Sequence, residues 1–229
     1  MKLNTNSNIY TFVYMTVVVI IVAVLLALAN QSLKPRQEAN ILLDKQKQIL
    51  GALKVDYTNA DPAEVYYTLV NDTLKYGEQE VYVANLNGAT KYILPLSGKG
   101  LWGGIGGYLA LDEDKNTIYG VNFNHESETP GLGAKIVEPE FRSQFEGKHI
   151  RNAEGAVVSV AVLKAGKHAE GQEQVDAISG ATITSSGVST MLEVNLAEYA
   201  AFLNDAALQP NDAAELPNDE VEPIKEEEE

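Results

Sequence analysis

Residues 176–203 read DAISGATITSSGVSTMLEVNLAEYAAFL. From Gly187 onward, Val188, Met191, Leu192, Leu196, Tyr199 and Leu203 recur at helical spacing, which predicts an amphipathic helix over residues 187–203. The stretch ahead of it is rich in Ser and Thr, good N-cap residues, and the unpaired N–H groups of a helix start favour an anion nearby. Gly180 and Ala181 leave room for a bulky group against the backbone. On physical grounds the segment is an anion-friendly helix entry bearing an exposed hydroxyl, or no more than a capped helix. Gly88-Ala89-Thr90 repeats the Gly-Ala-Thr triplet, but in a hairpin turn and with Ala84 six positions before its Thr instead of an acid. The triplet has no meaning outside its setting.

Upstream of this helix the period is two. Residues 81–86 (VYVANL) meet Asn87-Gly88 and continue through residues 90–96, a hairpin signal. Residues 108–111 and 117–124 form a second pair around a polar turn at 112–116, and residues 157–163 (VVSVAVL) read as another strand. Asp61-Pro62-Ala63-Glu64 is a helix start with an acidic N-cap, and that helix is expected to run through Leu69 to about Leu74. Residues 37–53 predict a further amphipathic helix through Ile41, Ile49, Leu50 and Leu53. Helices, then hairpin-linked strands, then one long helix indicate an α+β fold with an antiparallel sheet and flanking helices.

Residues 10–29 (YTFVYMTVVVIIVAVLLALA) are nearly all apolar. As a helix they extend about 30 Å, the thickness of a bilayer's hydrocarbon core. Ala27-Leu28-Ala29 resembles a signal-peptide cleavage site, but the apolar run exceeds the usual ~7–15 residues, so a retained anchor is the better reading. Lys34, Arg36, Lys45 and Lys47 follow the span and only Lys2 precedes it, a count that alone would keep the large domain cytoplasmic. The expected organisation is an anchor over 1–33, a helical membrane-proximal segment over 34–78, a domain over 79–209 and an acidic tail over 210–229. The tail carries nine acids against Lys225 alone, together with three prolines, and is expected to be disordered.

The 229 residues carry a net charge of −15, which excludes a general nucleic-acid binder. Absent cysteine excludes disulfides, thiolate metal sites and cysteine nucleophiles. His125, His149 and His168 are too widely spaced for a local zinc motif, so no metal is expected.

Gly98-Lys99-Gly100-Leu101-Trp102-Gly103 fits G-x-G-x-x-G, but it runs into more glycine and a strand where a dinucleotide fingerprint needs a helix. Its simplest reading is a glycine-rich turn with Trp102 in the core. Residues 128–135 (ETPGLGAK) make a tight Pro-Gly turn with Lys135 placed to reach an anion.

The D-x-x-S-G-A-T-x-T pattern at 176–184 resembles the flavinylation motif of FMN-binding domains, in which the flavin is joined through its phosphate to a threonine. That resemblance makes Thr182 the attachment residue, with Thr184 the nearby alternative, a cap or phosphate donor, and Asp176, Ser179, Gly180 and Ala181 matching the rest of the motif. The apolar span, residues 45–53 (KQKQILGAL) and the two glycine-containing blocks are together similar to the C subunits of sodium-translocating NADH:quinone reductases. Leu101, Trp102, Gly103, Glu128, Thr129, Gly131, Leu132 and Lys135 thereby become candidates for the flavin pocket.

The resemblance implies an electron-carrier subunit with covalent FMN, not catalytic alone, held in a bacterial inner membrane with its domain on the extracytoplasmic side. It further implies other subunits of the complex as partners, and a separate flavin transferase using FAD. Three rivals stay open: the G subunit of the related Rnf electron-transport complex, a stand-alone respiratory flavoprotein, and a membrane-tethered module that binds a phosphate ligand without redox function.

Overall fold

The structure is a computed structural model that describes residues 8–164 and 166–205, so the acidic tail expected over 210–229 lies outside the described residues. It divides into two compact units, residues 1–47 and 48–229.

In the first unit the apolar run lies within helix α1 (Asn8–Ala52), which continues through Pro35 as one helix of 45 residues. None of its most apolar window is buried by protein, and it is long and apolar enough to cross a membrane. Tyr10 and Tyr14 stack near its start with centroids 6.3 Å apart.

In the second unit, five strands form one antiparallel meander: β1 (Val70–Tyr76), β2 (Gln79–Leu86), β3 (Ala89–Lys99), β4 (Gly104–Leu111) and β5 (Ile118–His125). The Asn87-Gly88 hairpin forms as the sequence predicts, with both residues at positive φ and Leu86 paired with Ala89. One sheet face packs Ile49, Ala52 and Leu53, from the chain around the end of α1, against Tyr82, Ala84, Ile93 and Ala110. The other face carries the larger core, in which Leu94, Leu109 and Phe123 meet Val188, Met191 and Leu192 of helix α4 (Thr182–Glu198). Short helix α3 (Pro139–Arg142) precedes α4 in the chain and short helix α5 (Ala200–Asn204) follows it.

Close approach of α4 to β3 depends on two missing side chains. A Cβ at Gly187 would lie 2.5 Å from the Lys99 carbonyl oxygen, and one at Gly98 would lie 2.7 Å from Met191 Cβ. The Asn195 amide then serves the β3 backbone directly, donating to the Ser97 carbonyl (2.9 Å) and accepting from the Ser97 N–H (3.1 Å).

Several elements differ from expectation. Helix α2 (Pro62–Leu69) starts as predicted, with the Asp61 carboxylate accepting from the Ala63 N–H, but it stops at Leu69. Residues 70–76, expected to belong to a helical segment, are instead β1, because pairing with β2 outweighs local propensity. The compact unit accordingly begins near Gln48, and the first strand of its sheet falls within 34–78. The strand expected over 157–163 is reduced to β6 (Ala161–Val162), paired in parallel with β7 (Gln174–Val175). Ser159, at φ 70, breaks that run, and both Val158 and Ser159 N–H groups donate to the Ile150 carbonyl. The final helix begins at Thr182, earlier than Gly187, and a break at Tyr199 separates α4 from α5.

Candidate functional site

The first turn of α4 brings the predicted motif to the surface. Gly180, at φ +77, turns the chain into the helix, and a Cβ there would meet Leu132 Cδ2 at 2.9 Å. Ala181 is the N-cap, and no side chain caps the helix start, contrary to the expectation of a Ser or Thr cap. The hydroxyls one turn further in point inward. Ser185 Oγ accepts from the Ile178 N–H (3.1 Å), and Thr184 Oγ1, in a residue 1% exposed, donates to Glu128 Oε2 (2.6 Å). Thr182 is exposed, as is Ser179. The positive end of a 17-residue helix thus faces solvent without a side-chain cap, with exposed Thr182 in its first turn.

Glu128 ties this helix to the first glycine-rich loop. It is 4% exposed, and its second oxygen, Oε1, accepts from the Trp102 N–H (2.9 Å). Gly100 and Gly133 make room for the carboxylate, since a Cβ at either would collide with it. Burial raises the Glu128 pKa, but hydrogen bonds from Thr184 and the Trp102 and Leu101 amides, with an electrostatic contribution from nearby His125, outweigh this and hold it below the ordinary carboxylate value.

The loop between β3 and β4 closes through the Gly100 N–H on the Gly103 carbonyl (2.9 Å), with the Gly104 N–H on Glu126 Oε2 (2.9 Å). Trp102, placed in the core by the loop's simplest reading and in a flavin pocket by the family resemblance, is 67% exposed, because the turn projects it beyond the sheet. Leu101 is 45% exposed and Leu132 43%. In the second block the Thr129 carbonyl accepts from the Leu132 and Ala134 N–H groups (3.1 Å each), shaping a turn with Gly131 exposed at its tip.

Lys135 and Ser179, 44 positions apart in the chain, line one cleft of about 210 Å³, together with Glu138, Glu140, Phe141, Gln144, Ala177 and Ile178. Asp176 reaches the cleft through its backbone N–H, which donates to Gln144 Oε1 (2.8 Å). Its carboxylate accepts from the Ala169 N–H (2.7 Å) and lies 3.4 Å from His168 Nδ1; the Ala169 hydrogen bond, then that of His168, lowers its pKa. Ala181 is buried, and Gly103 packs toward Glu126 and Ser127.

Sequence reasoning missed Ile183, 58% exposed beside Thr182, and the cleft-lining Phe141 and Gln144. Ile183 carries a signal: it falls off the stripe of Val188, Met191, Leu192 and Leu196 that faces the core, so an apolar side chain there has no core to enter. Among the described residues no cluster of His, Asp or Glu is arranged to hold a metal ion.

Residues 100–197 match the family model described as FMN-binding domain. The crystal structure of the C subunit of the Na(+)-translocating NADH-quinone reductase from Parabacteroides distasonis is similar with a TM-score of 0.70 and 40% identity, covering 76% of this chain and 98% of that one. The Shewanella oneidensis NqrC structure, at 23% identity and a TM-score of 0.59, covers 70% of this chain and 95% of its own and shares the fold. The corresponding C subunit of the Na(+)-translocating NADH-quinone reductase of Haemophilus ducreyi is 27% identical over 230 residues, spanning 82% of this chain and 89% of that protein.

Proposed function

The chain belongs to the family formed by the C subunits of Na(+)-translocating NADH-quinone reductases, and from that premise we propose that it is a membrane-anchored electron carrier whose FMN is esterified through its phosphate to Thr182. The observation that carries the attachment site is the contrast between the two motif threonines. Thr182 offers an exposed hydroxyl at a helix end without a side-chain cap, whereas the Thr184 hydroxyl is buried and committed to Glu128. A phosphodiester keeps a negative charge, and the first-turn N–H groups and helix dipole suit it.

The residues fit the group in other respects. Exposed Leu101, Trp102, Leu132 and Ile183 supply apolar surface for a flat aromatic ring, and Lys135 supplies a cation in the cleft that Ser179 also lines, alongside Glu138 and Glu140. A bound flavin supplies one- and two-electron chemistry; the protein's part is placement and electrostatics. Attachment balances as transfer of the FMN phosphoryl group from FAD to Thr182 Oγ, with departure of AMP and loss of the hydroxyl proton, carried out by a separate flavin transferase. An ester of this kind prevents loss of the cofactor where the domain faces away from the cytoplasmic flavin pool. We place that domain on the extracytoplasmic side of a bacterial inner membrane, crossed once by the apolar part of α1. The other subunits of the reductase donate to and accept from it, and NADH oxidation, quinone reduction and sodium movement belong to the assembly.

Co-expression of the full chain with a flavin transferase, denaturation, and measurement of flavin fluorescence on the polypeptide test the proposal. Thr182→Val is expected to abolish the signal, and peptide mass spectrometry is expected to place the FMN mass on residue 182. Flavin persisting in Thr182→Val, or lost in Thr184→Val alone, overturns the assignment.

A further inference from the structure

Glu128 is the only acidic side chain buried among the described residues, and its two oxygens serve different parts of the chain. Oε1 holds the Trp102 amide, 26 positions earlier, and Oε2 holds Thr184, 56 positions later. Two glycines, Gly100 and Gly133, leave the volume this carboxylate fills. Burying a carboxylate is costly, and packed apolar side chains often stabilise a protein as well or better. What an apolar residue cannot do is accept hydrogen bonds from a loop amide and a helix hydroxyl at once. The loop held in this way carries the chain's single tryptophan, two-thirds exposed.

We propose that Glu128 is a positioning residue: through the Trp102 amide it fixes the indole relative to the start of α4, and so sets how rigidly an aromatic face confronts the flavin on Thr182. This rests on the Thr182 reading and goes beyond it. Glu128 is buried with its oxygens committed to the Trp102 amide and the Thr184 hydroxyl, so it acts through Trp102.

The test uses the full chain matured with a flavin transferase in membranes. Emission of the native protein is normalised to covalent flavin content measured after denaturation. An indole held against a flavin quenches its emission by electron transfer, so Trp102→Leu is expected to brighten the flavin several-fold. Glu128→Ala is expected to brighten it comparably, and the double variant to be no brighter than Trp102→Leu. Glu128→Gln is expected to return most of the quenching, since its oxygen accepts from the Trp102 amide while its NH₂ donates to Thr184. Unchanged emission in Glu128→Ala with only a lowered melting temperature overturns the proposal, as does Glu128→Gln behaving like Glu128→Ala.

Where Glu128→Ala does not fold, Thr184→Val cuts the helix side of the bridge. It is expected to brighten the flavin part-way, and unchanged emission there overturns the proposal equally. Flavin absent from residue 182 of the wild type is a failure of the attachment reading. Glu128 is then judged on the unflavinylated chain, where the fluorescence anisotropy of Trp102 reports its tether directly. Glu128→Ala is expected to lower that anisotropy, and an unchanged value overturns the proposal.

Discussion

Gly-Ala-Thr occurs twice in this chain, and the two copies share one requirement and differ in everything after it. Gly88 and Gly180 both sit at positive φ, +84 and +77. At the first copy the chain turns back into a ladder: Asn85 Oδ1 accepts from the Gly88 N–H, Ala89 pairs with Leu86, and Thr90 pairs with Asn85. At the second the chain turns into a helix, Ala181 is its N-cap, and Thr182 opens its first turn with the hydroxyl in solvent. A ladder consumes backbone amides; a helix start leaves them pointing outward. The same three residues are inert in one place and fit to carry a charged ester in the other.

The largest effect that can break this comparison is all-or-none. Thr182→Val is expected to remove the covalent flavin entirely and Thr90→Val to leave all of it, read as fluorescence of the denatured band. Next, Thr184→Val leaves the buried Glu128 carboxylate short of a donor. The expected cost is about 1–3 kcal/mol, seen as a lower melting temperature with flavin still attached to Thr182.

Alanine at the two glycines sharpens the shared requirement. Each forces a left-handed backbone on a residue with a Cβ, at a cost of roughly 1–2 kcal/mol. Gly180→Ala is expected to be the worse, because its methyl also meets Leu132 whereas that of Gly88→Ala meets nothing. Denaturant titration of both variants ranks them.

Acid separates the copies further. Because the Glu128 pKa is lowered in the fold, its stabilisation is complete above the ordinary glutamate value of about 4.3. It is lost as pH falls from there through the native value. Glu128→Gln is expected to flatten this part of the acid-unfolding curve, and Thr90→Val to leave it unaltered. The smallest effect is on stability at the half-exposed Thr90, where Thr90→Val is expected within about 0.5 kcal/mol of the parent.

Much of this was legible because the signals are local. Asn87-Gly88 between period-two runs specifies a hairpin, and Asp61-Pro62 specifies a helix start. The run over 10–29 declares its span by length and hydropathy alone. The motif singles out Thr182, and the fold leaves that residue exposed in the first turn of α4. Glu128 was legible only as part of a loop block: a glutamate before Thr-Pro-Gly looks like surface, and its burial depends on partners 26 and 56 positions away. Trp102 misled for the complementary reason. A lone indole is expected inside, yet here it rides the tip of a β3–β4 connection where no core is available. Ser159 breaks the strand expected over 157–163 because its own N–H and that of Val158 both reach the Ile150 carbonyl, which no residue pattern announces.

Leu101, Trp102, Leu132 and Ile183 are greasy side chains left exposed, and on the proposed attachment they would stay wetted until the flavin is joined. Covering them is favourable in its own right, independent of the ester. Unmatured chain should therefore bind hydrophobic dyes and melt earlier, and loading should silence the dye and raise the melting point together.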